Sequence, residues 1–145
     1  MLRADEGGLG LSLGHTDLVP GSDGAGVVEA VGSNVLALTV GDQVCTHLTC
    51  GLGEDEPPLL ADASQGLGQK VDGTLRQHGV FPVSSVVKMP SNLNFLEAAT
   101  LTCSGLTAWN ALFGIESRSS KTGQTIVVQG TGGVSIAALQ VCIPS

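Results

Sequence analysis

The chain is poor in aromatic and basic side chains, and this excludes several classes of partner. Of its 145 residues, three are Phe, one is Trp and none is Tyr, so it lacks a platform on which nucleic-acid bases could stack. Six Lys and Arg residues stand against thirteen Asp and Glu residues, for a formal net charge of -7. Because no basic stripe is present to displace counterions from a phosphate backbone, no nucleic-acid partner is predicted.

Long hydrophobic runs and closely paired cysteines are missing as well. The longest apolar candidate, residues 134–143, is far shorter than the ~18 residues of a membrane span, so no membrane partner is predicted. The N-terminal sequence MLRADEGGLG has no apolar region typical of a signal peptide, and the four cysteines form no CxxC pair. We therefore predict a cytoplasmic protein with free thiols, with a disulfide framework in a secreted domain as the alternative.

Apolar residues and glycine are abundant, which indicates a folded core with many tight turns. Hydrophobic residues make up 42% of the chain and charged residues 13%, the opposite of the balance that produces disorder. Strand patterns are predicted at residues 24–32, 44–47, 73–82 and 85–89, after a loose lead-in at 1–19 and with a long surface loop over 49–72. From Phe95 the period becomes helical, which predicts two short helices broken near Ser104 and Gly105 and ending at Gly114.

The segment IVVQGTGGVSIAALQ, residues 126–140, carries the strongest local signal for chemistry. A β-branched run at 125–129 predicts a strand buried on both faces, and 134–141 predicts a helix. The glycines between them would let a diphosphate approach the backbone, and the helix N-terminus offers unpaired N–H groups. The predicted cofactor-binding residues are Gly130, Thr131, Gly132, Gly133 and Val134. Ser135 stands where a third Gly or Ala is usual, and a plain strand-to-helix turn is the alternative.

Five blocks of sequence together resemble one enzyme superfamily. They are LVPGSDGAGVVEAVGSNV, VGDQV, DGTLRQHGVF, MPSNLNFLEAATLTCSGLTAWNALF and GQTIVVQGTGGVS, in that order between Leu18 and Leu139. The chain resembles the medium-chain dehydrogenase/reductase superfamily, above all its fungal zinc-type alcohol dehydrogenase-like members. The resemblance implies a mainly β fold with an α/β C-terminal part, a GroES-like β-barrel followed by the first βα unit of a Rossmann fold.

The resemblance also implies two domains, neither of them complete. Residues 1–93 would form an N-terminally incomplete GroES-like barrel domain, and residues 94–145 the incomplete start of an NAD(P)-binding Rossmann domain. The implied activity is hydride transfer between NADPH or NADH and a small carbonyl, alcohol or enone substrate. We expect turnover to be impaired by truncation, and self-association through the exposed apolar C-terminal segment.

The resemblance assigns some residues to the cofactor and to metal positions. Thr107 matches a position that contacts the nicotinamide ring, and Asn110, one turn further, could line the same cleft; helix residues without a ligand role are the alternative. Zinc members have Gly-His-Glu where this chain has Gly21, Ser22 and Asp23. Ser22 cannot replace a neutral imidazole on Zn²⁺. Cys103 alone matches a further zinc ligand, so no catalytic zinc is predicted.

Other candidate residues are given weaker roles, and two other functions stay open. Cys45, His47 and Cys50 are interpreted as buried or incidental side chains rather than as a metal cluster. His78 and Arg76 should share one face of a strand, with a packing or solvated role for His78, and no catalytic residue is assigned. The alternatives to an oxidoreductase are a non-enzymatic barrel that binds other proteins and a non-functional fragment of a longer enzyme.

Overall fold

The computed structural model describes residues 17–50, 59, 62 and 65–142, and the chain divides into two compact units between Ala99 and Thr100. These are called the first and the second unit below. The predicted lead-in with His15, and most of the predicted long loop before residue 65, lie outside the described residues. The domain boundary expected after residue 93 stays a prediction.

A three-stranded antiparallel sheet forms the framework of the first unit. Its strands are β1 (Ala25–Val27), β2 (Gln43–Thr46) and β3 (Val86–Lys88), in the order β1-β2-β3. Gly26 lies opposite Val44, and Cys45 lies opposite Val87. The strands predicted at 24–32, 44–47 and 85–89 therefore exist, although the first is much shorter than expected and Val83–Ser85 forms a 3-10 turn before β3.

The strand predicted over residues 73–82 is wrong, because this segment folds as a series of bends. Its backbone donors are used by a loop rather than by a neighbouring strand. The amide of Gly73 donates to the carbonyl of Val19 at 2.7 Å, and the amide of Leu75 donates to the carbonyl of Pro20 at 3.1 Å. An alternating pattern makes a strand possible, but a hydrogen-bonded partner strand is needed to form one.

A short helix covers the core of the first unit. Helix α1 (Phe95–Ala99) places Ala98, which is fully buried, against Cys45 and Met89. Its start is encoded locally: Asn94 Oδ1 accepts from the amide of Glu97 at 3.0 Å, and Glu97 Oε2 accepts from the amide of Asn94 at 2.9 Å. This reciprocal capping box satisfies two amides at the helix start.

The turn that precedes β2 is held by a carboxylate. Asp42 Oδ2 accepts from the amide of Thr39 at 2.8 Å and lies 3.0 Å from Lys88 Nζ. The hydrogen bond from Thr39, followed by the interaction with Lys88, holds the pKa of Asp42 below its ordinary value. The ionised Asp42 thus ties the β1–β2 connection to β3.

The second unit is helical around a small core. After a π-helical turn (Leu101–Gly105) come α2 (Leu106–Phe113), a 3-10 turn (Glu116–Arg118) and α3 (Gly133–Cys142). Ala108, Leu112 and Ala138 are buried together. The predicted break near Ser104 and Gly105 is where π-helix gives way to α-helix, and the predicted end at Gly114 is the C-cap of α2. None of the helices within the described ranges is long and apolar enough to cross a membrane.

The predicted strand at 125–129 is not formed in the described part of the chain. Ile126 and Val128 pack against the core of the second unit, whereas Val127 is 89% exposed. The segment therefore keeps the alternation of a strand and buries one face, not two. The second unit contains no hydrogen-bonded neighbour strand within its described residues, and without one a β-ladder cannot form.

Candidate functional site: a glycine turn at a helix N-terminus

The glycine turn, residues 130–133, opens helix α3 and leaves its backbone accessible. Gly130 has a φ of 87°, in the left-handed region that favours glycine. A Cβ added at Gly130 or at Gly132 would meet no heavy atom within 4 Å. Thr131 between them is exposed. Gly130 and Gly132 thus present their backbone to open space, which is the room that a diphosphate needs for close approach.

The turn is closed by a hydroxyl that the glycine pattern does not contain. Ser135 Oγ donates to the carbonyl of Gln129 at 2.9 Å, and the amide of Ile136 donates to the carbonyl of Gly132 at 3.0 Å as the helix begins. Ser135 therefore holds the two ends of the turn together, a role that the usual Gly or Ala could not supply. We find no signal in the sequence that would have shown this bond.

The glycine turn also packs closely on the π-helical turn of the same unit. A Cβ at Gly133 would lie 2.6 Å from Ser104 Oγ, so this position has no room for a larger residue unless Ser104 moves. The first N–H groups of a helix have no intrahelical acceptors, and the first turn of α3 carries no acidic side chain. No acidic side chain of the helix itself thus neutralises the positive end of its dipole at Gly133 and Val134, which favours an anion there.

Thr107 and Asn110 lie on α2 with the spacing that the sequence predicted. Both are exposed, and residues three apart on a helix share one face. Cys103, four positions before Thr107, is exposed on the π-helical turn. All three side chains are exposed. The contact of Thr107 with a nicotinamide ring stays a prediction, as does a place for Asn110 in the same cleft.

The turn at Ser22 and Asp23, in the first unit, is fixed by two threonines. Ser22 Oγ donates to Asp23 Oδ2 at 2.5 Å. The hydroxyl of Thr46, 6% exposed, accepts from the amide of Gly24 and donates to the carbonyl of Ser22, both at 2.9 Å. Thr74 Oγ1 donates to the carbonyl of Asp23 at 3.1 Å. Sequence reasoning missed both threonines, because neither belongs to a local motif.

The variant Thr46→Val should destabilise the first unit by about 1–3 kcal/mol, because the amide of Gly24 and the carbonyl of Ser22, both partly buried, would lose a hydrogen-bond partner. Valine has nearly the same shape as threonine, so packing is preserved. Urea unfolding measures the change, and Thr125→Val, at an exposed position, is the control. Equal midpoints for Thr46→Val and the control would contradict this role for Thr46.

Cys45, His47 and Cys50, the three side chains of the possible metal cluster, each make different contacts. Cys45 is buried between Met89 and Ala98, and burial raises the pKa of its thiol. His47 Nδ1 lies 2.9 Å from Thr49 Oγ1, and the Cys50 thiol donates to the carbonyl of Leu48 at 3.9 Å. Among the residues that the structure describes, no group of three His, Cys, Asp or Glu side chains is arranged to hold a metal ion. The prediction that catalytic zinc is lacking stays a prediction.

Comparison with known proteins assigns most of the chain to one family. Residues 4–91 match the family described as the alcohol dehydrogenase GroES-like domain. A zinc-type alcohol dehydrogenase-like protein from Schizosaccharomyces pombe is 43% identical over 123 residues, which cover 85% of this chain and 35% of the relative. Human quinone oxidoreductase is 37% identical over 123 residues, which cover 84% of this chain and 30% of the relative.

Solved structures agree with the sequence comparison. A putative alcohol dehydrogenase from Sinorhizobium meliloti 1021 matches with a TM-score of 0.79 and 38% identity, covering 97% of this chain and 42% of that one. An NAD-dependent alcohol dehydrogenase matches with a TM-score of 0.68 and 33% identity, covering 86% of this chain and 37% of that one. The chain thus spans between 30% and 42% of the length of these four proteins.

Proposed function

The chain belongs to the alcohol dehydrogenase GroES-like domain family of the medium-chain dehydrogenase/reductase superfamily, and from this we propose that it serves hydride transfer between a nicotinamide cofactor and a small alcohol, carbonyl or enone substrate. The observation that carries the proposal is the glycine turn. Open space beside Gly130 and Gly132, at the start of a ten-residue helix, suits a bound diphosphate.

In this proposal the backbone of the turn holds the cofactor. The amides of Thr131, Gly132 and Gly133 donate to the diphosphate oxygens, and Val134 lies at the positive end of the α3 dipole. The bound nicotinamide supplies or accepts the hydride. Thr107 faces the ring and orients it, which fits its exposed position on α2.

Segment 125–129 and α3 would form the first βα unit of a Rossmann domain. Ile126 and Val128 already face the core of the second unit, which supports this. In a parallel sheet helices cover both faces, so only the face that carries the exposed Val127 would still have to be covered. The exposed side chains of Val127, Ile136 and Leu139 would also support association with a second copy.

Polarisation of the substrate oxygen is assigned to hydrogen-bond donors and not to a metal. The family position of a zinc-ligating His is held by Ser22, whose hydroxyl is already engaged with Asp23. A hydrogen-bond donor directed at the oxygen that develops negative charge stabilises the transition state without a metal. No single catalytic residue is proposed.

Titration of the chain with NADPH and with NADH tests the proposal. A ligand that binds the native state raises the thermal midpoint as its concentration increases, by the equivalent of about 2.7 kcal/mol at 100 times Kd. We expect this for at least one of the two cofactors. Nicotinamide riboside, which lacks the diphosphate, is the control and should give a much smaller shift. No shift with either cofactor at millimolar concentration would refute the proposal and would leave the two alternatives, a non-enzymatic barrel and a non-functional fragment of a longer enzyme.

A further inference from the structure

A groove of about 740 Å³ lies within the first unit, and residues from all three strands of the sheet contribute to its lining. Its lining includes Ala25–Val27 with the residues that continue to Gly32, and the bent segment 76–81. Most of the lining side chains are apolar, and two of them are strongly exposed: Val27 at 51% and Val80 at 92%. Volume and lining both fall within the range of small-molecule sites in proteins.

One permanently charged cation, Arg76, is found among the described residues that line the groove. Its side chain is only 24% exposed, yet its guanidinium is poorly paired. Nη2 donates to the carbonyl of Asp72 at 3.4 Å, Nη1 lies 3.7 Å from Asp72 Oδ2, and the buried Nε has no hydrogen-bond partner in the part of the chain that the structure describes. A guanidinium has five N–H donors, and here both contacts to Asp72 are long and the buried Nε–H has no partner among the described residues.

The position of this guanidinium is set by its neighbours. Arg76 Cζ lies 5.0 Å from the centre of the Phe81 ring, close enough for a cation–π contact. A Cβ at Gly79 would lie 2.5 Å from Arg76 Nε, so the absence of a side chain there makes room for the guanidinium. Glu29 also lines the groove and carries a carboxylate. That carboxylate is paired with His78, since Glu29 Oε2 lies 3.0 Å from His78 Nδ1. Arg76 is thus held at the groove with its side chain only 24% exposed and with a buried Nε–H that has no partner among the described residues.

We propose that this groove binds a small organic carboxylate with an apolar body. The two oxygens of the carboxylate accept from the Nη groups of Arg76, a pairing that is both planar and charge-assisted. The apolar body lies along Val27 and Val80 and covers the surface that they expose. Partial removal of Arg76 from water strengthens its attraction for the anion. The proposal does not depend on the hydride-transfer function, since its residues belong to the first unit and the glycine turn to the second.

Calorimetric titration of the full chain with octanoate tests the proposal, with 1-octanol as the matched probe that has the same body and no carboxylate. We expect octanoate to bind at least about tenfold more tightly than 1-octanol, the difference made by a hydrogen bond to a charged group. Acetate, which has the carboxylate without the body, should bind more weakly than octanoate. No binding of octanoate at millimolar concentration, or equal affinity for octanoate and 1-octanol, overturns the proposal.

Variants locate the site. Arg76→Gln should weaken octanoate binding by about tenfold or more and leave 1-octanol binding unchanged, whereas Arg118→Gln, at an exposed position in the second unit, should alter neither. Gly79→Ala keeps the charge but displaces the guanidinium, and should also weaken octanoate binding. In the unaltered chain the NMR signal of Arg76 Nε–H should shift with octanoate, a readout that requires no variant to fold. Wild-type affinity in Arg76→Gln, or an unmoved Arg76 signal at saturation, would sink the proposal.

Discussion

Replacement of Gly73 by alanine should lower the thermal midpoint of the first unit by more than about 15 °C, the consequence of losing 4 kcal/mol or more of stability. A Cβ at this position would lie 1.9 Å from the carbonyl oxygen of Gly21 and 2.6 Å from that of Pro20. Both are backbone atoms, which cannot rotate away as a side chain can. The new methyl group must therefore push two loops apart.

Those two loops are joined by several hydrogen bonds that the separation would break. The amide of Gly73 donates to the carbonyl of Val19 at 2.7 Å, and the amide of Thr74 donates to that of Gly21 at 2.9 Å. The side chain of Asp72 accepts from the amide of Val19 at 3.0 Å. All of these groups lie at the base of the turn that contains Ser22 and Asp23, so the same change should disturb that turn.

Scanning calorimetry of Gly73→Ala measures the effect, and Gly26→Ala is a matched control. A Cβ at Gly26, within β1, would meet nothing within 4 Å, so we expect a change of no more than about 1 kcal/mol in either direction. A midpoint for Gly73→Ala within a few degrees of that of Gly26→Ala would show that the contact between the two loops relaxes easily.

Gly132→Ala should lower the cofactor-dependent stabilisation by about half or more while leaving the fold intact. The added methyl group has free space around it in the protein, so no clash within the chain is expected. In the proposed complex the same space is taken by the diphosphate, and a methyl group there would separate it from the backbone amides. Loss of one or two charge-assisted hydrogen bonds corresponds to at least about a tenfold weaker affinity.

The thermal midpoint measured with and without NADPH separates the two effects. Gly105→Ala is the control within the same unit, since its Cβ would make only an ordinary contact of 3.4 Å with Leu101 Cδ2. At a cofactor concentration about 100 times the Kd of the unaltered chain, we expect a full shift in Gly105→Ala and a shift of about half that size or less in Gly132→Ala. An undiminished shift in Gly132→Ala would remove this glycine from the binding site, and a loss in both variants would point to a general loss of stability.

Several elements follow from patterns within a few residues of one another. The helical period after Phe95 located α1 and α2, the cap between Asn94 and Glu97 marks the start of α1, and Gly114 marks the end of α2. The glycines at 130–133 likewise placed the start of α3 within one residue. In each case the interactions that form the element join residues close in the chain, so the sequence displays them directly.

The strand predictions were less successful, because a strand depends on a partner elsewhere in the chain. Residues 73–82 and 125–129 both alternate or carry β-branched side chains, and neither forms a strand among the described residues. The amides of Gly73, Thr74 and Leu75 donate to the loop at 19–21, and no strand among the described residues pairs with 125–129. Alternation describes which side chains can face inward, but not whether a hydrogen-bonded neighbour is present.

The family, the likeness to alcohol dehydrogenases and the glycine turn can all be recognised from the order of residues, because they rest on short blocks with local geometry. The contact of Gly73 with Gly21, the bridge from Thr46 to the Ser22 turn and the poorly paired Arg76 beside its groove emerge only from the folded chain. Gly73 and Arg76 looked like parts of an ordinary turn and strand. The role of Gly73 depends on atoms about 50 residues earlier in the chain, and the role of Arg76 depends on its burial. Both arise only when the chain folds.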